Sequence, residues 1–170
     1  MKRLCNALRN STFVVLVMLL LALAGNNVFA SEPAPNLTLK TLDNASIQLS
    51  DMKGDVIYLD FWATWCPPCR KSFPWMEEMQ QRYKDLGFKV VAVSLDNKRG
   101  VIDQFLQNMS TSFTIAHDPS GESATAFKVK GMPSSYLIDR HGNIHLTHMG
   151  FNSKDKSKLE AEIKNLIAQD

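Results

Sequence analysis

Apolar and polar positions divide the chain into a series of short elements. Residues 31–36, with Pro33 and Pro35, read as an extended lead-in. Residues 37–42 and 46–49 alternate apolar and polar side chains around Asp43-Asn44, the pattern of a β-hairpin, and Asn44 suits a left-handed turn position. After a Lys53-Gly54-Asp55 turn, residues 56–62 are apolar on both faces apart from Asp60, as befits a strand covered by helices on both sides. From the segment Trp65-Cys66-Pro67-Pro68-Cys69, Phe73, Met76, Tyr83 and Leu86 recur at helical spacing, with Pro74 as an internal kink and Gly87 as a stop. Residues 88–95 form a second, Val-rich apolar strand. Val101, Ile102, Phe105, Leu106 and Met109 predict a helix, residues 112–116 a short strand and residues 121–127 a brief helix. Residues 134–138 and 144–149 flank Asp139-Arg140-His141-Gly142-Asn143 as a second hairpin. Leu159, Ile163, Leu166 and Ile167 line one face of a closing helix with Ser153 as its N-cap, while Lys154, Lys156 and Lys158 crowd its first turn against the macrodipole. Strands alternating with helices, closed by a hairpin and a helix, predict an α/β domain on a mixed central sheet.

The first thirty residues change the composition of what remains. Lys2, Arg3 and Arg9 precede the unbroken apolar run 13–24, and Val28-Phe29-Ala30 ends the segment with a small-residue cleavage pattern, so residues 1–30 read as a secretory signal cut after Ala30. The apolar run is shorter than the about 20 residues of a membrane span, and an uncleaved N-terminal anchor is the alternative. Residues 31–170 make one ordinary domain, with no internal repeat, linker or low-complexity tract. Three of the 19 basic residues fall in the signal, leaving 16 against 17 acidic ones, a net charge of −1. No basic patch then argues for nucleic acid or an anionic membrane.

Cys5 leaves with the signal, so the exported chain keeps only Cys66 and Cys69, which make one site rather than a disulfide scaffold. A strand that ends in Cys-x-x-Cys and opens a helix sets two thiols at a positive helix N-terminus, where a thiolate is favoured. Cys66, at the helix start, attacks a substrate disulfide, and Cys69 then attacks Cys66 and releases the reduced substrate. As a structural staple the pair closes a four-residue loop, worth only about 2 kcal/mol. A metal site would need further ligands, and His117, His141, His145 and His148 supply no second Cys-x-x-Cys. Pro67 and Pro68 lack the N–H groups a first turn would offer the thiolate, leaving the Cys69 amide and thiol as the nearest donors; a modest lowering of the Cys66 pKa favours a reductant over a strong oxidant.

These residues resemble the thioredoxin superfamily and, within it, the exported TlpA/ResA-type thiol-disulfide oxidoreductases. The likeness rests on Asp60-Phe61-Trp62-Ala63-Thr64-Trp65-Cys66-Pro67-Pro68-Cys69-Arg70, on Pro74 five positions later, and on Gly131-Met132-Pro133 before a strand. It spans residues 34–168, including the N-terminal hairpin and the strand–helix segment 88–116 that this subgroup inserts relative to plain thioredoxin. The resemblance implies a thioredoxin-like fold with helices on both faces of the sheet. It also implies a cis Pro133 facing the disulfide and a Met132 backbone that pairs with an extended substrate; a simple turn proline is the other reading of Pro133, and Trp65 is read from its position as covering the site and helping to dock the substrate. Three positions depart from the pattern: Ser72 stands where many members carry a glutamate, Asp60 where many carry asparagine, and Ala92 where thioredoxin places a lysine near its buried aspartate.

The resulting expectation is a periplasmic disulfide reductase that acts through a mixed disulfide and needs no cofactor beyond its own Cys66–Cys69 pair. Its partners would be protein disulfides, apocytochrome c among the family expectations, and a membrane thiol donor, with no nucleic acid and a monomeric chain. The alternatives are an oxidase or isomerase and, in a different class, a metal-carrying binding module; no Thr-x-x-Cys precedes the pair to indicate a peroxidase. Asp60, in an apolar run and without the lysine, is expected to have a pKa raised by desolvation and to take the proton of Cys69. A carboxylate satisfied by backbone donors is the other reading.

Overall fold

The computed structural model describes residues 32–169, and the segment read as a signal lies outside them. The chain runs β1 (Glu32–Pro33), β2 (Thr38–Lys40), β3 (Ser46–Gln48), β4 (Val56–Trp62), α1 (Pro67–Tyr83), β5 (Phe88–Ser94), α2 (Arg99–Leu106), β6 (Thr114–His117), α3 (Glu122–Ala126), β7 (Ser134–Ile138), β8 (Asn143–Met149) and α4 (Asp155–Ile167). Six strands form one sheet in the order β1-β8-β7-β4-β5-β6. β4 pairs in parallel with β5 and antiparallel with β7, so the sheet is mixed and β4 lies inside it. β2 and β3 form a separate hairpin, as the alternation predicts, with Asn44 at positive φ in the turn; a Thr41–Ala116 bridge ties it to β6.

All seven residues of β4 are buried, and their alternation assigns each side chain to a face. Val56, Tyr58 and Trp62 join the core with Phe73, Met76 and Met79 of α1, Ile102 of α2 and Leu159, Ile163 and Leu166 of α4. Ile57, Leu59 and Phe61 point to the other core, with Leu39 and Leu49 from the hairpin region and Phe127 beside α3. Helices therefore cover both faces. Each large apolar side chain buried in these layers contributes about 1.5–3 kcal/mol.

Four details differ from the expectation. Leu86 is 54% exposed, because the helix gives way to a 3-10 turn at Lys84–Leu86 before Gly87 turns the chain at φ 75°; Trp75 and Met79 complete the buried stripe instead. Val101 is exposed although Ile102 beside it is buried. Ser153 does not cap α4: Asn152 accepts from the Lys154 amide while its own amide and side-chain nitrogen donate to Asp155, closing the turn one step later. Asp155 puts an acidic group into the first turn that the three lysines would otherwise disfavour. The lead-in supplies an edge strand, Glu32 and Pro33 lying opposite Ile144 and Asn143 of β8.

Candidate active site

The reactive segment forms where β4 ends and α1 begins. Cys66 is the N-cap of α1, with extended backbone angles, and Pro67 and Pro68 occupy the first helical positions, where a missing N–H is tolerated. Cys66 and Cys69 are joined as a disulfide with an S–S distance of 2.03 Å. The Cys69 amide donates to Cys66 Sγ at 3.3 Å, the donor that the two prolines leave available. Cys69 is fully buried and Cys66 is only 4% exposed, so the predicted order of accessibility holds but the outer sulfur is nearly covered while the disulfide is closed. Ser72 is buried and its hydroxyl donates to the Cys69 carbonyl at 2.7 Å, inside the helix rather than toward a substrate.

Trp65 is 67% exposed, whereas Trp62 and Trp75 are core residues, Trp62 packing edge-on against Phe73 with ring centroids 4.4 Å apart. The Met132–Pro133 peptide bond is cis. Because Ser134 opens β7 opposite Phe61 of β4, this loop lies at the end of the sheet where β4 runs into Cys66. Neither the N–H nor the C=O of Met132 has a backbone partner among the described residues. Apolar exposure gathers around the same end: Val101 shares an open groove with Pro67, Arg70, Lys71 and Phe105, and Met149, 65% exposed, lies against Gly131.

Asp60 is fully buried and shares the α1-facing side of β4 with Tyr58 and Trp62, the layer that holds Cys69. Its partner across the parallel pair is Ala92, so no lysine stands at that position. Ser135, directly opposite on β7, donates to Asp60 Oδ1 at 2.6 Å, while Oδ2 has no partner among the described residues. Backbone donors do not satisfy this carboxyl. Burial pushes its pKa up to about 7, with the Ser135 hydrogen bond acting in the opposite direction. Burial, and then the charge of Asp60, also hold the Tyr58 phenol well above its usual range.

Two features escaped the sequence reading. Ser135 is in sequence one more strand position, although two serines in an otherwise apolar strand signal that something polar faces them. Asp96 is buried after β5 and accepts from the Thr64 amide at 2.9 Å, the Thr64 hydroxyl at 2.8 Å and the Ser94 hydroxyl at 2.9 Å. It fixes the turn two residues before Cys66. Among the described residues no three His, Cys, Asp or Glu side chains stand together as a metal-binding cluster.

Comparison with known proteins places this geometry. The Redoxin family matches residues 29–163. The thiol-disulfide oxidoreductase ResA of Oceanobacillus iheyensis is 36% identical over 142 residues, spanning 81% of this chain and 73% of that protein. Among solved structures, a Chlorobium tepidum chain described as a thiol:disulfide interchange protein DsbE is 48% identical with a TM-score of 0.79, covering 81% of this chain and 97% of that one. The exposed lipoprotein thioredoxin Etrx1 of Streptococcus pneumoniae is 28% identical with a TM-score of 0.67, covering 78% and 100%.

Proposed function

The chain belongs to the Redoxin family and is a thiol-disulfide oxidoreductase of the ResA type, and from that premise we propose that it is an exported reductase of protein disulfides. Cys66 is the attacking thiolate. It forms a mixed disulfide with one substrate sulfur and expels the other as a thiolate. Cys69 then attacks Cys66, the internal disulfide closes, and the substrate leaves fully reduced. Asp60, ionised at the moment of resolution, takes the proton from the buried Cys69 thiol, a task to which a pKa near the working pH is suited.

The observation that carries the reducing direction is the single amide donor on Cys66 Sγ, set between two donor-free prolines. A thiolate so sparsely solvated is stabilised only modestly, and a less stabilised thiolate makes a stronger reductant. Equilibration against glutathione tests this. A potential toward about −270 mV is expected, and one near about −120 mV would sink the reductase reading.

Docking of an extended substrate segment on the free backbone groups of Met132, beside Pro133 and under Trp65, is the companion proposal. Strand-like pairing of that kind tolerates many sequences. The substrates are protein disulfides, apocytochrome c among them. The pair needs no further cofactor, and a membrane thiol carrier regenerates it. The protein works outside the cytoplasm, in the periplasm, exported by residues 1–30 and cut after Ala30, so mass spectrometry of the exported protein should find Ser31 at its N-terminus.

A further inference from the structure

If Asp60 takes the Cys69 proton at each turnover, as proposed above, that proton must leave a fully buried site before the next cycle. Three adjacent strands set a polar row across this face of the sheet. Ser135 lies opposite Asp60 on one side and opposite His148 of β8 on the other. Directly opposed residues hold their Cβ atoms about 4.5–5.5 Å apart. At the outer end His148 Nε2 is 3.4 Å from Asp155 Oδ2, and both side chains are partly exposed. Tyr58, two residues before Asp60 on the same face, has no hydrogen-bond partner for its buried hydroxyl among the described residues.

Five buried side-chain polar atoms make no hydrogen bond among the described residues, and four of them belong to Tyr58, Asp60, Trp75 and His148, whose Nε2 has only the longer contact to Asp155. Trp75 packs edge-on against Tyr58 with centroids 5.5 Å apart, so it belongs to the same patch. Buried polar groups are ordinarily paired, and a concentration of unpaired ones beside a reactive centre calls for a purpose.

We propose that Ser135, Tyr58 and the His148–Asp155 pair form a proton outlet from Asp60 to solvent. When Cys69 attacks the mixed disulfide, the Cys66–substrate bond breaks, the Cys66–Cys69 bond forms, and the substrate sulfur leaves with the electron pair. The Cys69 proton passes to Asp60. Asp60 hands a proton to the Ser135 hydroxyl, which rotates away from the carboxyl group to pass its own to the unpaired Tyr58 hydroxyl and so to His148; the partly exposed imidazole, held by Asp155, releases it to water. The departing thiolate takes a proton from solvent, and the balance closes. The groups that α1 buries on this side, Cys69, Ser72, Trp75 and Met76, bring no carboxylate, lysine or arginine, and α4 brings Asp155.

The test is rapid mixing of reduced full-length protein with a peptide disulfide, following peptide-thiol release as the resolving step and measuring Cys66 attack separately in a Cys69→Ala background. Tyr58→Phe and His148→Ala should slow resolution by about tenfold while attack stays within about twofold, and imidazole added to the buffer should restore His148→Ala. Slowing of His148→Ala that imidazole does not relieve would mean a structural role and would overturn the outlet. Resolution at the wild-type rate in both variants, with Asp60→Asn slow, would overturn the outlet and leave Asp60 as the base. If Asp60→Asn also resolves at the wild-type rate, the base itself fails and the outlet with it. Should Tyr58→Phe fold poorly, His148→Ala at the partly exposed end decides alone.

Discussion

Two carboxyl groups sit buried, one inside β4 and one just past the neighbouring β5, and they are held in opposite ways. Asp96, just past β5, receives three donors from Thr64 and Ser94 and keeps both oxygens occupied. Asp60, inside β4, receives one donor from Ser135 and keeps an oxygen unpaired. Burial alone therefore does not decide what a carboxyl group is for. Converging donors turn Asp96 into a clamp on the turn before Cys66, and their scarcity leaves Asp60 with a proton that it can gain and lose near neutral pH.

The sharpest way to break the comparison is at the clamp. Asp96→Ala leaves the Thr64 amide and two hydroxyls without their acceptor and should cost about 3 kcal/mol in urea unfolding. A loss near zero would mean that water replaces the carboxyl group and that the two aspartates differ less than their contacts indicate.

Asp60→Asn should act in the other direction, stabilising the oxidised protein by about 1–3 kcal/mol at about pH 8 and scarcely at all at about pH 4. The folded pKa, about 7, lies above the unfolded value of about 3.9, so the folded state holds this proton more tightly. That contribution is fully present below the unfolded value and is lost as pH rises through the folded one. Wild type should therefore weaken across this window relative to the variant, and parallel stability–pH curves for the two proteins would refute the assignment.

The smallest effect is expected from Ser135→Ala, which removes the donor that lowers the Asp60 pKa. The carboxyl titration followed by infrared spectroscopy should move upward, with about 1 kcal/mol lost at about pH 8. An unchanged midpoint would show that the 2.6 Å hydrogen bond does not control Asp60.

The fold was legible wherever local periodicity carried it. The uniformly apolar run 56–62 became the inner strand, the period-2 alternation around Asn44 became the hairpin, and Phe73, Met76 and Tyr83 marked the buried side of α1. Helix ends were less legible because they turn on competing hydrogen bonds, as when the Asn152–Asp155 exchange displaced Ser153. At the site, the cysteine pair and the donor left by two prolines could be read from order and spacing, and the isolation of Asp60 from a lysine from the resemblance to thioredoxin, which places a lysine where this chain has Ala92. Ser135 and Thr64 could not, because a bond between residues 75 or 32 positions apart depends on strand register, which no local pattern encodes.

At the far end of the sheet, Arg140 is spread over the chain. Its guanidinium donates to the carbonyls of Gly54, Leu86, Ile167 and Gln169, which come from the turn before β4, the end of the α1 region, and the last residue of α4 with the chain just after it. The termini of three segments far apart in sequence thus share one cation. Fraying of the final helical turn cannot stay local, because it withdraws two of the four acceptors from that side chain. In amide exchange the last turn of α4, the Gly54 turn and the residues around Leu86 would open as one cooperative unit, with the C-terminal tail setting its rate.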